Sequence, residues 1–153
     1  MLKRKLRVYI ASSFNQIDKV KMVSSFLENC GFKITGKWWD RVYHVGSDIK
    51  STKELKKEYD NLNWFVFRNK KQSIESFYSD FKGIVDSDIL VFVASDDKKK
   101  YNGASVEYGI AVGLNKRCYL LGELENSVMF NKLIKVDTIH ELIDELLIID
   151  SIE

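Results

Sequence analysis

Ile89-Leu90-Val91-Phe92-Val93-Ala94 (ILVFVA) is apolar at every position. The run is too short for a buried helix or a bilayer span, and it lacks the alternation of a strand with one wet face. It therefore reads as the central strand of a parallel sheet, covered on both sides. Upstream, Gln72 to Ser87 is helical, with Ile74, Phe77, Phe81, Ile84 and Val85 on one face. Downstream, a turn over Ser95–Asn102 precedes a helix from Gly103 to about Leu114, a strand over Arg117–Leu121, a short fifth strand near Lys132–Val136 and a closing helix over Thr138–Ile149. Nearer the start, Arg7–Ala11 is a β-rich run, followed by a turn over Ser12–Asn15. From Gln16 the spacing of Val20, Val23, Phe26 and Leu27 is helical, with Gly31 just beyond the C-cap. Phe32–Trp39 alternates loosely as a second strand, whereas Asp40–Lys71 has little pattern beyond a short charged helix at Lys53–Asn61 and an aromatic patch at Trp64–Phe67. Strand alternating with helix predicts an α/β fold: a doubly wound, mostly parallel five-stranded sheet with helices on both faces.

All 153 residues fit one domain, and no linker or internal repeat divides them. With 24 basic and 22 acidic residues the net charge is +2, which gives no broad basic face for nucleic acid. No segment is apolar enough for a membrane span. Lys3, Arg4 and Lys5 precede a stretch too soon interrupted to be a signal peptide. Cys30 and Cys118 lie far apart without metal-ligand spacing, which fits reduced thiols in a cytoplasmic protein. His44 and His140 stand alone, so no metal is expected, and the glycine-rich dinucleotide fingerprint is missing, so no cofactor is expected.

In doubly wound sheets, ligands bind beyond the carboxyl ends of the strands, where strand order reverses. That rule selects the loops Ser12–Asn15 and Ser95–Gly103. Gly103-Ala104-Ser105-Val106-Glu107-Tyr108-Gly109-Ile110-Ala111 opens a helix at this place. Glu107 in a first helical turn would stay ionised in the positive end of the dipole, the state a nucleophile needs to attack an anomeric carbon. The same position equally suits a structural glutamate. Asp80, between Phe77 and Phe81, lies where it could reach the crevice and protonate a departing base, or remain a solvated surface residue. Tyr9 shares a strand face with Arg7 and Ala11 and could orient Glu107, or simply pack in the core. Ser12 and Ser13 offer hydroxyls and N–H groups to a phosphate, or ordinary helix caps. Phe14, Gly103 and Ser105 border the same crevice, and Trp38 and Trp39 could form a stacking wall for a base or belong to the core.

At these residues the sequence resembles the nucleoside 2-deoxyribosyltransferase-like family. The matching pieces are RVYIASSF at Arg7–Phe14, SDFKGIVDSDILVFV at Ser79–Val93 and GASVEYGIAVGLNKRCYLL at Gly103–Leu121, which leave Asp40–Lys71 unmatched. The resemblance implies a flavodoxin-like fold and a homo-oligomer, dimer or higher, whose subunits complete one another's sites. It further implies Glu107 as nucleophile on the sugar C1′, Tyr9 as its orienting partner and Asp80 near the base. The family's further Asp, six residues before the nucleophile, is replaced here by Tyr101, with Asp96 and Asp97 the nearby substitutes. The expected function is cleavage or transfer of a nucleoside N-glycosidic bond. The alternatives are a hydrolase of nucleoside 5′-monophosphates, in which Ser12 or Ser13 grips the phosphate, and a non-catalytic nucleotide-binding domain.

Overall fold

The computed structural model describes residues 3–45, 47–54, 70–95, 102–125 and 128–152. Its centre is β5 (Ile89–Val93), every residue of which is buried. β1 (Arg7–Ala11) and β6 (Arg117–Leu121) flank it, with β2 (Lys33–Thr35) and β7 (Leu133–Val136) at the edges. The order is β2-β1-β5-β6-β7, and all four pairings are parallel. This is the doubly wound, flavodoxin-like order, with its reversal between β1 and β5.

Four helices cover the sheet: α1 (Ile17–Asn29), α2 (Lys70–Asp86), α3 (Asn102–Gly113) and α4 (Ile139–Ile152). α2 lies beside α3 against β1, while Phe26 of α1 meets His140 of α4 edge-on at 6.5 Å. Right-handed crossovers place the two helix pairs on opposite faces. Gly31, at φ +93°, closes α1 as its sequence position foretold. On α2 the apolar residues divide. Ile84 is fully buried on the sheet, but Ile74, Phe77, Phe81 and Val85 are 48%, 52%, 37% and 43% exposed.

The second strand is shorter than expected. It ends at Thr35 because Gly36 turns the chain with φ +57°, and Trp38–Asp40 then forms a 3-10 turn. A Cβ on Gly36 would lie 2.8 Å from the Tyr9 ring and 3.1 Å from the Gly83 Cα, so only glycine fits this close approach. The Asp40–Lys71 segment contains an antiparallel hairpin, β3 (Val42–Val45) and β4 (Asp48–Ser51). Ser51 Oγ accepts from the Glu54 N–H at 3.1 Å and Glu54 Oε2 from the Ser51 N–H at 2.6 Å, the reciprocal capping box that starts a helix. Most of the expected Lys53–Asn61 helix and the whole Trp64–Phe67 patch lie outside the described residues.

Candidate active site

The site grows from Tyr9. Strand alternation sends its side chain to the α2–α3 face, where it is fully buried and its ring rests on Gly36 and Gly83. A Cβ on Gly83 would come 2.9 Å from the Gly36 Cα and 3.0 Å from the Tyr9 ring, so the two glycines let α2 approach β2 closely. Thr35 Oγ1 donates to the Gly83 carbonyl at 2.7 Å and fixes that approach. One turn before Gly83, α2 carries Asp80; α3 brings Glu107 from the other side.

The Tyr9 hydroxyl faces both carboxyls as a hydrogen-bond donor and favours the ionised form of each. Neither approach closes into a hydrogen bond of good geometry. Tyr9 Oη and Glu107 Oε2 are buried and, among the described residues, without hydrogen-bond partners. Asp80 is held differently. Arg41 Nη2 donates to its Oδ1 at 2.6 Å and Arg41 Nη1 to its Oδ2 at 3.5 Å, and Nη2 also reaches the Ser76 carbonyl at 3.4 Å. Sequence reasoning missed Arg41, which follows β2 in the unpatterned segment and carries no periodic signal. Gly36 and Gly83 did carry one, since an isolated glycine inside a strand or helix pattern marks a close approach.

The cluster's electrostatics overturn one expectation. The sequence predicts Glu107 in a first helical turn, ionised at neutral pH. α3 begins at Asn102 and has no acidic residue in its first turn; Glu107 sits beyond it, where the dipole's influence has faded. Burial dominates and pushes the carboxyl up to about 8. The Tyr9 hydroxyl and Arg41 pull downward, and the Asp80 charge adds to the rise. At pH 7 Glu107 is therefore mainly neutral in the free protein. Burial also raises Asp80, against the opposing pull of Arg41 and Tyr9. Tyr9 is driven well above the ordinary phenol value by burial and by both carboxylates. Burial alone would lower Arg41, but its pairing with Asp80 wins and raises it.

The remaining candidates separate. Ser12 Oγ donates to the Val93 carbonyl at 2.8 Å, so it ties the carboxyl ends of β1 and β5 together. Ser13 precedes the 3-10 turn Phe14–Gln16 without a side-chain capping bond, and its Oγ is buried with no partner among the described residues. Phe14 packs edge-on to Trp38 at 5.4 Å, and Trp38 edge-on to Trp39 at 5.5 Å. Trp38 and Trp39 are each 5% exposed, and Trp38 Nε1 donates to the Ile10 carbonyl at 2.8 Å, so both rings belong to the core. Gly103 is exposed at the start of α3 and Ser105 is half-buried on it. Asp96, Asp97 and Tyr101 lie outside the described residues. The structure thus brings Tyr9, Asp80 and Glu107 together, adds Arg41, and leaves Trp39 in the core. A cavity of about 700 Å³ opens between Leu120, Leu124, Phe130 and Leu133, and none of these carboxyls lines it. No cluster with metal-ligand chemistry occurs among the described residues.

Two solved structures share this fold. The CMP N-glycosidase BcmB of Clostridium botulinum superposes with a TM-score of 0.54 at 13% identity, covering 92% of this chain and 97% of that one. A 2-deoxyribosyltransferase from Bacillus psychrosaccharolyticus superposes with a TM-score of 0.58 at 18% identity, covering 90% of each chain. No family model and no curated protein matches the sequence.

Proposed function

We propose that the chain is an enzyme that cleaves or transfers the N-glycosidic bond of a nucleoside or deoxynucleoside through a glycosyl-enzyme intermediate on Glu107. The observation that carries this reading is the buried Glu107 Oε2 beside Tyr9, without a hydrogen-bond partner among the described residues. A carboxyl shielded from water yet left without a partner is poised for a bond made only with substrate. The two enzymes that share the fold, a CMP N-glycosidase and a 2-deoxyribosyltransferase, support the same chemistry.

The neutral state of Glu107 accounts for the protons. As Glu107 ionises, its oxygen bonds to the sugar C1′ and the C1′–N bond breaks. The base leaves with the bonding electron pair and the proton that Glu107 surrenders. In the second half, water or another base bonds to C1′, the ester to Glu107 breaks, and the proton of the incoming group returns to the carboxyl. Tyr9 orients Glu107, Asp80 hydrogen-bonds substrate across the site, and Phe14, Gly103 and Ser105 border the ligand. These steps need no metal or cofactor.

Ser13 favours a second reading, a nucleoside 5′-monophosphate hydrolase. Its buried hydroxyl, unpartnered among the described residues, stands at the carboxyl end of β1 and could donate to a phosphate. A small-molecule substrate, a cytoplasmic setting and a homo-oligomer complete the proposal; two free cysteines fit the setting, and the outward apolar face of α2 fits a second copy. The test is base release, read by chromatography, from a deoxynucleoside and its 5′-monophosphate, with and without a second free base. Exchange of bases on the nucleoside supports transfer. Release from the monophosphate alone, indifferent to added base, selects the hydrolase. Binding without release from either would leave a non-catalytic nucleotide-binding domain and sink the enzyme reading.

A further inference from the structure

Arg41 reaches the site from neither the strand ends nor the helices that supply the carboxyls. It follows the Trp38–Asp40 turn, and Thr52 Oγ1 and N–H both donate to its backbone carbonyl, at 3.0 and 3.3 Å. Its side chain is 17% exposed and that of Asp80 25%, so the pair is largely withdrawn from water. We infer that Arg41 is a positioning residue: its guanidinium fork holds Asp80 through both carboxylate oxygens and fixes it as an ionised, acceptor-only group facing the substrate. The geometry carries the inference. Two N–H donors of one planar group meet the two oxygens of one carboxylate, an arrangement that favours the anion and leaves each oxygen a further lone pair for a ligand donor. Asp80 so held selects an N–H or O–H donor on the ligand, and the role of proton donor to the leaving base falls elsewhere.

Among the described residues, the charged and titratable groups around Asp80 are Tyr9 on β1, Glu107 on α3 and Arg41, itself coupled to Tyr43 on β3. Removing Arg41 strips the only cation from this set and leaves a buried carboxylate to be neutralised by protonation. The direct measurement is the carbon-13 carboxyl titration of Asp80 in the full chain. Its midpoint should rise in Arg41→Met relative to wild type and be largely retained in Arg41→Lys, which keeps the charge but not the fork. The kinetic arm rests on the function proposed above. There, Arg41→Lys and Arg41→Met should lower kcat for base release by roughly 10²-fold, the scale of a misplaced group. The double variant Arg41→Met/Asp80→Asn, which removes the unpaired buried charge and guards against misfolding, should be no slower than the worse single variant. An Asp80 midpoint unmoved in Arg41→Met would overturn the inference, as would wild-type kcat in that variant. Because the titration needs no turnover, it still decides the role of Arg41 if the wild-type protein releases no base.

Discussion

Glu107 starts as the neutral acid that its buried setting favours, and in the proposed step it gives up that proton as its oxygen bonds to C1′. Both have measurable consequences. Because the proton that leaves with the base is the one Glu107 carries in the free enzyme, kcat/KM should fall as pH rises, along a limb centred near 8. Tyr9→Phe should move that limb upward, because the lost hydroxyl is the strongest group pulling Glu107 toward ionisation. A pH–rate profile of the two proteins checks this, and a limb left in place by Tyr9→Phe would contradict the pairing. Glu107→Ala should abolish base release while leaving the circular dichroism of the fold unchanged. Normal turnover in that variant would remove the assignment. Stability gives an independent reading. The folded state retains the Glu107 proton at pH values where the unfolded chain has lost it. Its contribution is therefore fully present below about 4.5 and is lost as pH rises through about 8, at up to ~1.4 kcal/mol per pH unit. Denaturant melts of Glu107→Gln should show a flatter profile across that window and higher stability than wild type at its upper end.

At the level of elements, α2 is positioned by what its seam with β2 lacks. Gly36 and Gly83 meet without side chains, and the Tyr9 ring fills the space beside them. Gly83→Ala puts a methyl 2.9 Å from backbone that cannot yield as a flexible side chain would. The helix must shift, and Asp80 shifts with it. The expected cost is ~1–3 kcal/mol, the usual scale of overpacking, together with a fall in kcat. Thermal melts and kinetics of Gly83→Ala check both. An alanine that raises stability, as alanine for glycine does in an unconstrained helix, would show that the seam is not tight. The glycines were legible in the sequence only as interruptions of pattern. Their partners were not, because residues 36 and 83 meet through the sheet and nothing local to either one names the other.

For the whole molecule, the outward face of α2 sets the expectation of a dimer. Ile74, Phe77, Tyr78, Phe81 and Val85 form one exposed stripe, with Phe77 and Phe81 stacked at 6.3 Å. Beside the stripe run Lys71, Glu75, Lys82 and Asp86, alternating in sign. Two copies of α2 packed antiparallel about a two-fold axis would set Lys71 against Asp86, and Glu75 against Lys82, in the neighbouring copy. Such a face is self-complementary in charge as well as apolar. Light scattering should give about twice the 17.8 kDa chain mass, and Phe77→Glu should yield a folded monomer. A wild-type monomer at micromolar concentration would refute this.

The sequence by itself determined the α/β class and the parallel sheet, because burial periodicity and turn chemistry are local properties of the chain. It placed Tyr9, Asp80 and Glu107 on the right elements for the same reason. Only the tertiary structure decided what those residues experience. Arg41 and Asp80 lie 39 positions apart and meet because Gly36 turns the chain back across α2. The ionisation of Glu107 follows from desolvation by the folded chain around it, so no stretch of sequence beside it reports its protonation state. Trp39 became core instead of binding wall through the same turn. Charge and exposure belong to surroundings assembled from distant parts of the chain, and that assembly is what the fold adds.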